Sequence, residues 1–366
     1  MTLKFFSNLR NFDWILFGAV VLLLCFGLSA LYSIAISSDQ PDFSNFRKQI
    51  IFALIGLLLL FLLTFLDYRI WQNYSYFLYG GVVVLLVAVL VFGRTIRGTT
   101  GWFSIAGINF QPVELAKISL IASLAWLLSQ RPQIIRELKY FLLAGLGVAI
   151  MFSLVVLQPD FGSAVLLMAI WLAMVTLSGA KWKHLLVLAG LLALAGVFSW
   201  LILFQDYQHD RILSFFNPQA DPYGRGYHVR QAVIAVGAGR LLGRGLGFGS
   251  QSQLKFIPAS ETDFIFAVIA EELGFLGVIF LLFFWALILY RLFLAARRVR
   301  DGFGLLFIMG VSALFFAHLA INIGMNIGLL PVTGISLPFL SYGGSFLVVS
   351  LALIGMVESI IMRNPA

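Results

Sequence analysis

Charge is scarce in this sequence. Asp, Glu, Lys and Arg fill 11% of its 366 positions, against 61% that are hydrophobic. An ordinary soluble domain carries about a quarter of its residues charged, so a water-facing surface around a conventional core is excluded. Cysteine is nearly missing: Cys25 is the only one and sits inside the first apolar run, which excludes disulfides within the chain and cysteine metal sites. The four histidines, His184, His209, His228 and His318, have no metal-ligand spacing, and neither H-E-x-x-H nor G-x-x-x-x-G-K-[ST] occurs. Zinc hydrolysis, a Ser-His-Asp relay and nucleotide P-loop chemistry therefore have nothing to rest on, and carboxylates are the chemical resource. No soluble domain, low-complexity tail or fixed-period repeat is evident.

What the chain does have is long apolar sequence, with a mean hydropathy of +0.99. Runs of 18 or more apolar residues point to membrane-spanning helices rather than to barrel strands of about 10 alternating residues. Ten candidate spans fall at 14–37, 48–66, 74–93, 112–129, 140–157, 161–178, 183–204, 263–290, 304–328 and 338–361. The polar residues ahead of the first span are followed by many further spans, so it reads as a retained signal-anchor. Placing both termini in the cytoplasm gives thirteen Lys and Arg to the inner segments and only Arg47, Lys48, Arg94 and Arg97 to the short outer loops. The expected fold is an all-α integral membrane protein, a single polytopic domain over 1–366 with ten transmembrane helices, N-in and C-in. A long outer loop, 205–262, separates spans seven and eight, and its "GYHVRQAVIAVGAGRLLGRGLGFGS" suggests an interfacial or re-entrant helix near 227–238 followed by a glycine-rich turn.

With that orientation the unusual polar motifs share the outer face. "QPVELAKIS" opens span four, "QPDFGSA" turns between spans five and six, Asp263 opens span eight, and "GLLPVTGISLPFLSYGGS" joins spans nine and ten. Glu114 and Lys117 are three apart, so they project from one helical face and can neutralise each other. Each charge costs about 2.5–3.5 kcal/mol at membrane depth and should face protein or an aqueous cavity; the pair either locks helices together or contacts substrate. Asp160 either caps the next helix or places a substrate hydroxyl or a cation. Arg211, Arg225, Arg230, Arg240, Arg244 and Lys255 form a cationic set suited to a lipid headgroup or pyrophosphate. Glycines 237, 239, 243, 245, 247 and 249 would let backbone amides approach such an anion. The alternative is a solvated loop resting on anionic lipid.

Thr262 or Ser260 is the expected N-cap of span eight, which places Asp263 in its first turn, ionised, where it can take a proton from a substrate hydroxyl. Glu271 and Glu272 lie about 12 Å deeper and point about 100° apart, and are expected to satisfy donors within the bundle. His318 and Asn322, at i and i+4, are expected to bond between helices.

"TDFIFAVIAEELGFLG", "QPVELAK", "QPDFGSA" and "LPFLSYGGS" resemble, in order and over nearly the whole chain, the SEDS family of shape, elongation, division and sporulation proteins. The segment Gln-Ser-Gln-Leu-Lys-Phe looks more like the RodA branch than the FtsW branch. One departure is local: Ala-Ser-Glu precedes Thr262 where many relatives have an Arg/Ala-His pair, leaving no imidazole of that pair beside the acid. The resemblance implies a GT-C-like peptidoglycan glycosyltransferase at the outer face of the bacterial cytoplasmic membrane. It would polymerise lipid II into a β-1,4 glycan by inversion, with undecaprenyl pyrophosphate leaving. Asp263 is then the catalytic residue, and Glu114, Lys117 and Asp160 are substrate-binding candidates together with the loop cations and Ser341. Loop arginines, Lys117 or a divalent cation (Mg2+ or Mn2+), whose ligands stay unassigned, would balance the pyrophosphate. The implied partners are lipid II, the nascent glycan, membrane lipid and a class B penicillin-binding protein; no nucleic-acid partner is expected. The rival readings are a lipid II flippase, which favours inverted repeats and a midplane site, and a non-catalytic scaffold.

Overall fold

The computed structural model describes residues 11–36, 41–96, 98–105, 108–131, 134–198, 201 and 225–364. A backbone surrounded by lipid must satisfy its own N–H and C=O groups, and the long apolar runs do so as helices. In chain order these are α1 (Trp14–Ile36), α2 (Ser44–Phe65), α3 (Arg69–Phe92), α4 (Pro112–Ser129), α5 (Leu138–Val156), α6 (Phe161–Leu177), α7 (Trp182–Phe198), α8 (Arg225–Ala238), the single turn α9 (Ser250–Gln253), α10 (Ile265–Arg298), α11 (Gly302–Asn326) and α12 (Gly344–Arg363). Eight of them, α1 to α5 and α10 to α12, are long and apolar enough to cross a bilayer; α6 and α7 are apolar but shorter, at 17 residues each.

The central helices are α4 and α12, whose apolar windows are mostly buried, while α3 and α5 turn most of theirs outward. In α12, Gly355 lies against the backbone of Leu60 in α2, a close approach that only a missing side chain permits. Three helices are tied at one end by Asp13. Its Oδ1 caps α1 through Leu16 N (3.0 Å), its Oδ2 takes Arg291 Nη2 of α10 (2.7 Å), and its own N–H donates to Glu358 Oε2 of α12 (3.1 Å).

Two features depart from the expected pattern. Residues 94–110, expected as a plain outer connection, form a three-stranded antiparallel sheet of β1 (Arg94–Ile96), β2 (Thr99–Ile105) and β3 (Ile108–Phe110), in the order β1-β2-β3. Phe103 pairs with Phe110 and Arg94 with Trp102, and Thr100 N docks the sheet on Gln158 O at the end of α5 (3.3 Å). The spans are helical, so all-α describes them but not this connection. Three- to seven-residue strands leave a far weaker sequence signal than a twenty-residue apolar run.

The second departure is a break in α10 at Gly274, whose φ of 66° and ψ of −165° are not helical. That backbone region is essentially reserved for glycine. A break deep in a helix frees backbone groups that need partners, and the stretch after α8 supplies them. Arg244 N donates to Glu271 O and Gly245 N to Glu272 O (both 2.9 Å), while Phe275 N donates to Arg240 O (2.8 Å) and Leu276 N to Leu241 O (3.1 Å). The glycine-rich turn, expected to cradle an anion, instead spends these amides on α10 carbonyls. Gly243, at φ 81°, passes so close to Glu272 O and Gly274 N that no side chain fits there.

Candidate active site

A polar cavity of about 410 Å³ opens where the α5–α6 turn, the sheet, α8, the approach to α10 and the α11–α12 connection meet. Its chemistry-bearing lining residues are Gln111, Asp160, Ser163, His228 and Asp263, under a roof of Ile96, Thr99 and Trp102. Trp102 Nε1 donates to Thr99 Oγ1 (3.2 Å), which fixes the indole at the rim.

Asp263 does not sit in the first turn of α10. The helix begins at Ile265 after Phe264, and Thr262 is no N-cap: its hydroxyl donates back to Ala259 O (3.3 Å). Asp263 is instead held in the turns that lead into α10, where three successive carbonyls are each bonded. Tyr342 N donates to Glu261 O (2.8 Å), Ser341 Oγ to Thr262 O (2.6 Å), and both Asn322 Nδ2 and Asn326 Nδ2 to Asp263 O (3.0 Å each). Asn326 Oδ1 in turn accepts Ala267 N (3.1 Å), so α11 positions the start of α10 from both sides. Anchoring the main chain this way fixes where the Asp263 carboxylate can reach.

Asp160 caps α6, accepting Ser163 N on Oδ1 (3.0 Å) and Ser163 Oγ on Oδ2 (2.8 Å), and Gln111 Nε2 reaches the same Oδ2 (3.1 Å). The cap and the cavity wall are one residue. Proline at the start of α4 puts Glu114 in its first turn, and Lys117 Nζ lies 2.9 Å from both Glu114 carboxylate oxygens, the lysine being 2% exposed. The ammonium lies over the ring of Phe346, a cavity-lining residue, 5.2 Å from its centre, while neither member of the ion pair lines the cavity itself. The His318 imidazole centre is 4.9 Å from that of the same ring, with Nδ1 2.9 Å from Ser336 O.

Several residues expected at the substrate are elsewhere. Ser341 is buried, donating to Thr262 O and accepting Leu337 N (2.8 Å), so its hydroxyl serves the backbone. Arg230, Arg244 and Lys255 are exposed, and Arg244 Nε donates to Ala238 O (3.1 Å). Among the described residues no lysine or arginine lines the cavity. Arg211 lies outside the described residues, and Arg225 opens α8. Glu271 accepts Gln251 N (2.8 Å) and Ser252 N (3.0 Å), capping α9, while Glu272 Oε1 accepts Ser33 Oγ of α1 (2.6 Å) and Gln253 Nε2 (3.3 Å). The two acids hold the chain after α8 against α10 and α1.

His228 was not singled out from the sequence. It lies in the first turn of α8, lines the cavity, and its ring meets Phe264 edge-on at 6.4 Å. Metal-ligand spacing does not apply to it; the available signal is a histidine in the helix expected near 227–238 of the long loop. Among the described residues no group of three His, Cys, Asp or Glu side chains can hold a metal ion. The described side chains therefore offer no such cation site, and no chemical step is routed through one.

The chain is similar to known proteins over most of its length. Peptidoglycan glycosyltransferase MrdB of Escherichia coli (strain K12) is 36% identical over 329 residues, covering 88% of this chain and 87% of the relative. A solved chain from a peptidoglycan synthase complex, described as coordinating polymerisation and crosslinking, superposes with a TM-score of 0.81 at 34% identity, covering 96% of this chain and 98% of that one. The rod shape determining protein RodA of Thermus thermophilus gives 0.73 at 34% identity, covering 96% and 97%. With residues 12–365 matching the cell cycle protein family of FtsW, RodA and SpoVE, the chain belongs to that family.

Proposed function

We propose that this protein is a peptidoglycan glycosyltransferase that polymerises lipid II in the cavity around Asp263, with Asp263 as general base. As the acceptor's 4-hydroxyl oxygen attacks the donor's anomeric carbon, its proton passes to the Asp263 carboxylate. The bond from that carbon to the pyrophosphate breaks with inversion, and undecaprenyl pyrophosphate leaves with the electron pair. The observation that carries this reading is the anchoring of Glu261, Thr262 and Asp263 by consecutive carbonyl hydrogen bonds beside a polar cavity. A base contributes only when held within reach of the proton it accepts. Asp160, already carrying Gln111 and Ser163, orients substrate hydroxyls across the cavity.

The same reading makes α1–α7 and α10–α12 ten spans with both termini inside and the cavity at the outer face of the bacterial cytoplasmic membrane. Segment 205–262 is then extracytoplasmic. The cavity's position at one end of the bundle favours chemistry over transport, which calls for a site near mid-bilayer. The likeness to a chain of a peptidoglycan synthase complex supports a class B penicillin-binding protein as partner. The Gln-Ser-Gln-Leu-Lys-Phe segment supports a role in cell shape. Purified protein given labelled lipid II tests the chemistry. Asp263→Asn and Asp263→Ala should lower polymer formation by roughly 10²–10⁴-fold; equal polymer from all three proteins rejects Asp263 as the base, and movement of lipid II across liposomes without polymer favours a flippase.

A further inference from the structure

A second cavity, about 740 Å³, lies between α5, α6 and α7. Phe141, Val148, Met168, Trp171 and Leu188 are among its apolar walls, and Lys139 is its only charged lining residue among those described. The cavity uses residues 139–149 of α5, whereas the catalytic cavity meets the turn after that helix. Nineteen residues of α5 at a 1.5 Å rise span about 28 Å, so the two cavities open toward opposite ends of that helix.

The cavity is a groove open to lipid, since Leu142, Leu143, Leu146 and Leu192 on its edge are all exposed. Its third wall, α7, carries exposed Leu186, Val187, Leu191 and Leu194 and stands off from its neighbours. Left empty, such a slot forfeits dispersion contacts along its whole lining; in a bilayer a hydrocarbon chain fills it. The depth of the headgroup is marked as well. Trp182 starts α7 exposed, and Lys139 Nζ lies 5.7 Å from the Tyr140 ring centre, the belt of aromatic and basic residues that sits at a membrane interface.

Charge then selects among lipids. The α4–α5 and α6–α7 connections meet at this end, where Arg136 Nε donates to Gly179 O (3.4 Å), and they carry exposed Arg131, Arg136 and Lys181, with exposed Lys183 in the first turn of α7. Glu137 is the only carboxylate in those two connections, and among the described residues none of the five cations is in an ion pair. We propose that this groove is a binding site for an acidic phospholipid, with an acyl chain along Val148, Met168 and Leu188 and the phosphate at Lys139, Lys181 and Lys183. Basic pockets between membrane helices hold anionic headgroups by the same attraction.

The test uses the full chain in detergent, titrated with phosphatidylglycerol or phosphatidylcholine of identical acyl chains and read by native mass spectrometry. Wild type should retain phosphatidylglycerol in preference. The triple variant Lys139→Gln, Lys181→Gln, Lys183→Gln should lose that preference by roughly fivefold for each cation removed, while still retaining phosphatidylcholine, which reports an intact groove. Ala149→Phe, which places a ring in the groove from an exposed position, should lower retention of both lipids. Equal retention of the two lipids by wild type, an unchanged preference in the triple variant, or wild-type retention of both lipids by Ala149→Phe each overturns the proposal.

Discussion

Lys117 and Glu114 are paired out of reach of water, so a single substitution and a double one have different consequences. Removing one partner leaves a buried charge alone, which costs about 3–5 kcal/mol. Lys117→Met should therefore lower the thermal midpoint sharply in detergent, whereas Glu114→Gln with Lys117→Met should recover most of it. If the pair also serves substrate, the double variant stays folded yet polymerises lipid II poorly; normal polymerisation by it assigns the pair to stability alone. The pair's spacing was legible in the sequence because i and i+3 share a helical face. What spacing does not carry is the ring of Phe346, 229 positions further along the chain, whose centre lies 5.2 Å from the ammonium and which lines the cavity where the pair does not. Asp263 was legible as a chemical candidate, but the residues that anchor its backbone were not, since Asn322, Asn326 and Ser341 act through carbonyls that look alike in any sequence. His228 escaped because a lone histidine has no spacing to measure.

Among the elements, the long apolar runs declared themselves by length, and helices stand at each of the ten expected places. The small sheet did not, being built of strands too short for periodicity to register. The interruption of α10 was equally hidden: Gly274 lies in an apolar run, and a glycine there is ordinary in a membrane helix. Its backbone conformation makes a sharp test. Gly274→Ala forces a Cβ into a region reserved for glycine, at a cost on the order of 1–3 kcal/mol, and crowds the Gly243 and Leu242 backbone. Its thermal midpoint should fall, and so should its activity, because α10 leads directly from Asp263. An unchanged midpoint would mean that the break relaxes into a continuous helix at no cost.

Across the whole molecule, the proposed orientation depends on a charge asymmetry that the sequence displays openly, and the lone cysteine makes it simple to examine. In a Cys25→Ser background, a cysteine at Gly98, in the β1–β2 turn, should react with a membrane-impermeant maleimide added to intact cells. One at Gly302, where α11 begins, should react only after the membrane is opened. The reverse pattern inverts the chain and moves the Asp263 cavity to the cytoplasmic side. The two cavities divide the bundle by chemistry as well as by end: carboxylates and hydroxyls line one, hydrocarbon and a fringe of cations the other.

The stretch between α8 and α9 clasps α10 at two points that are fixed in register, Arg240 and Leu241 on one side of the break and Arg244 and Gly245 on the other. Only Leu242 and Gly243 lie between them. Natural variation here is thus constrained in number of residues far more than in their kind: exposed Leu242 can be exchanged freely, but one residue inserted or deleted between 241 and 244 shifts every clasp out of step and leaves α10 with open backbone groups in oil. Among related chains, gaps in alignment should skirt this interval even where the letters within it drift.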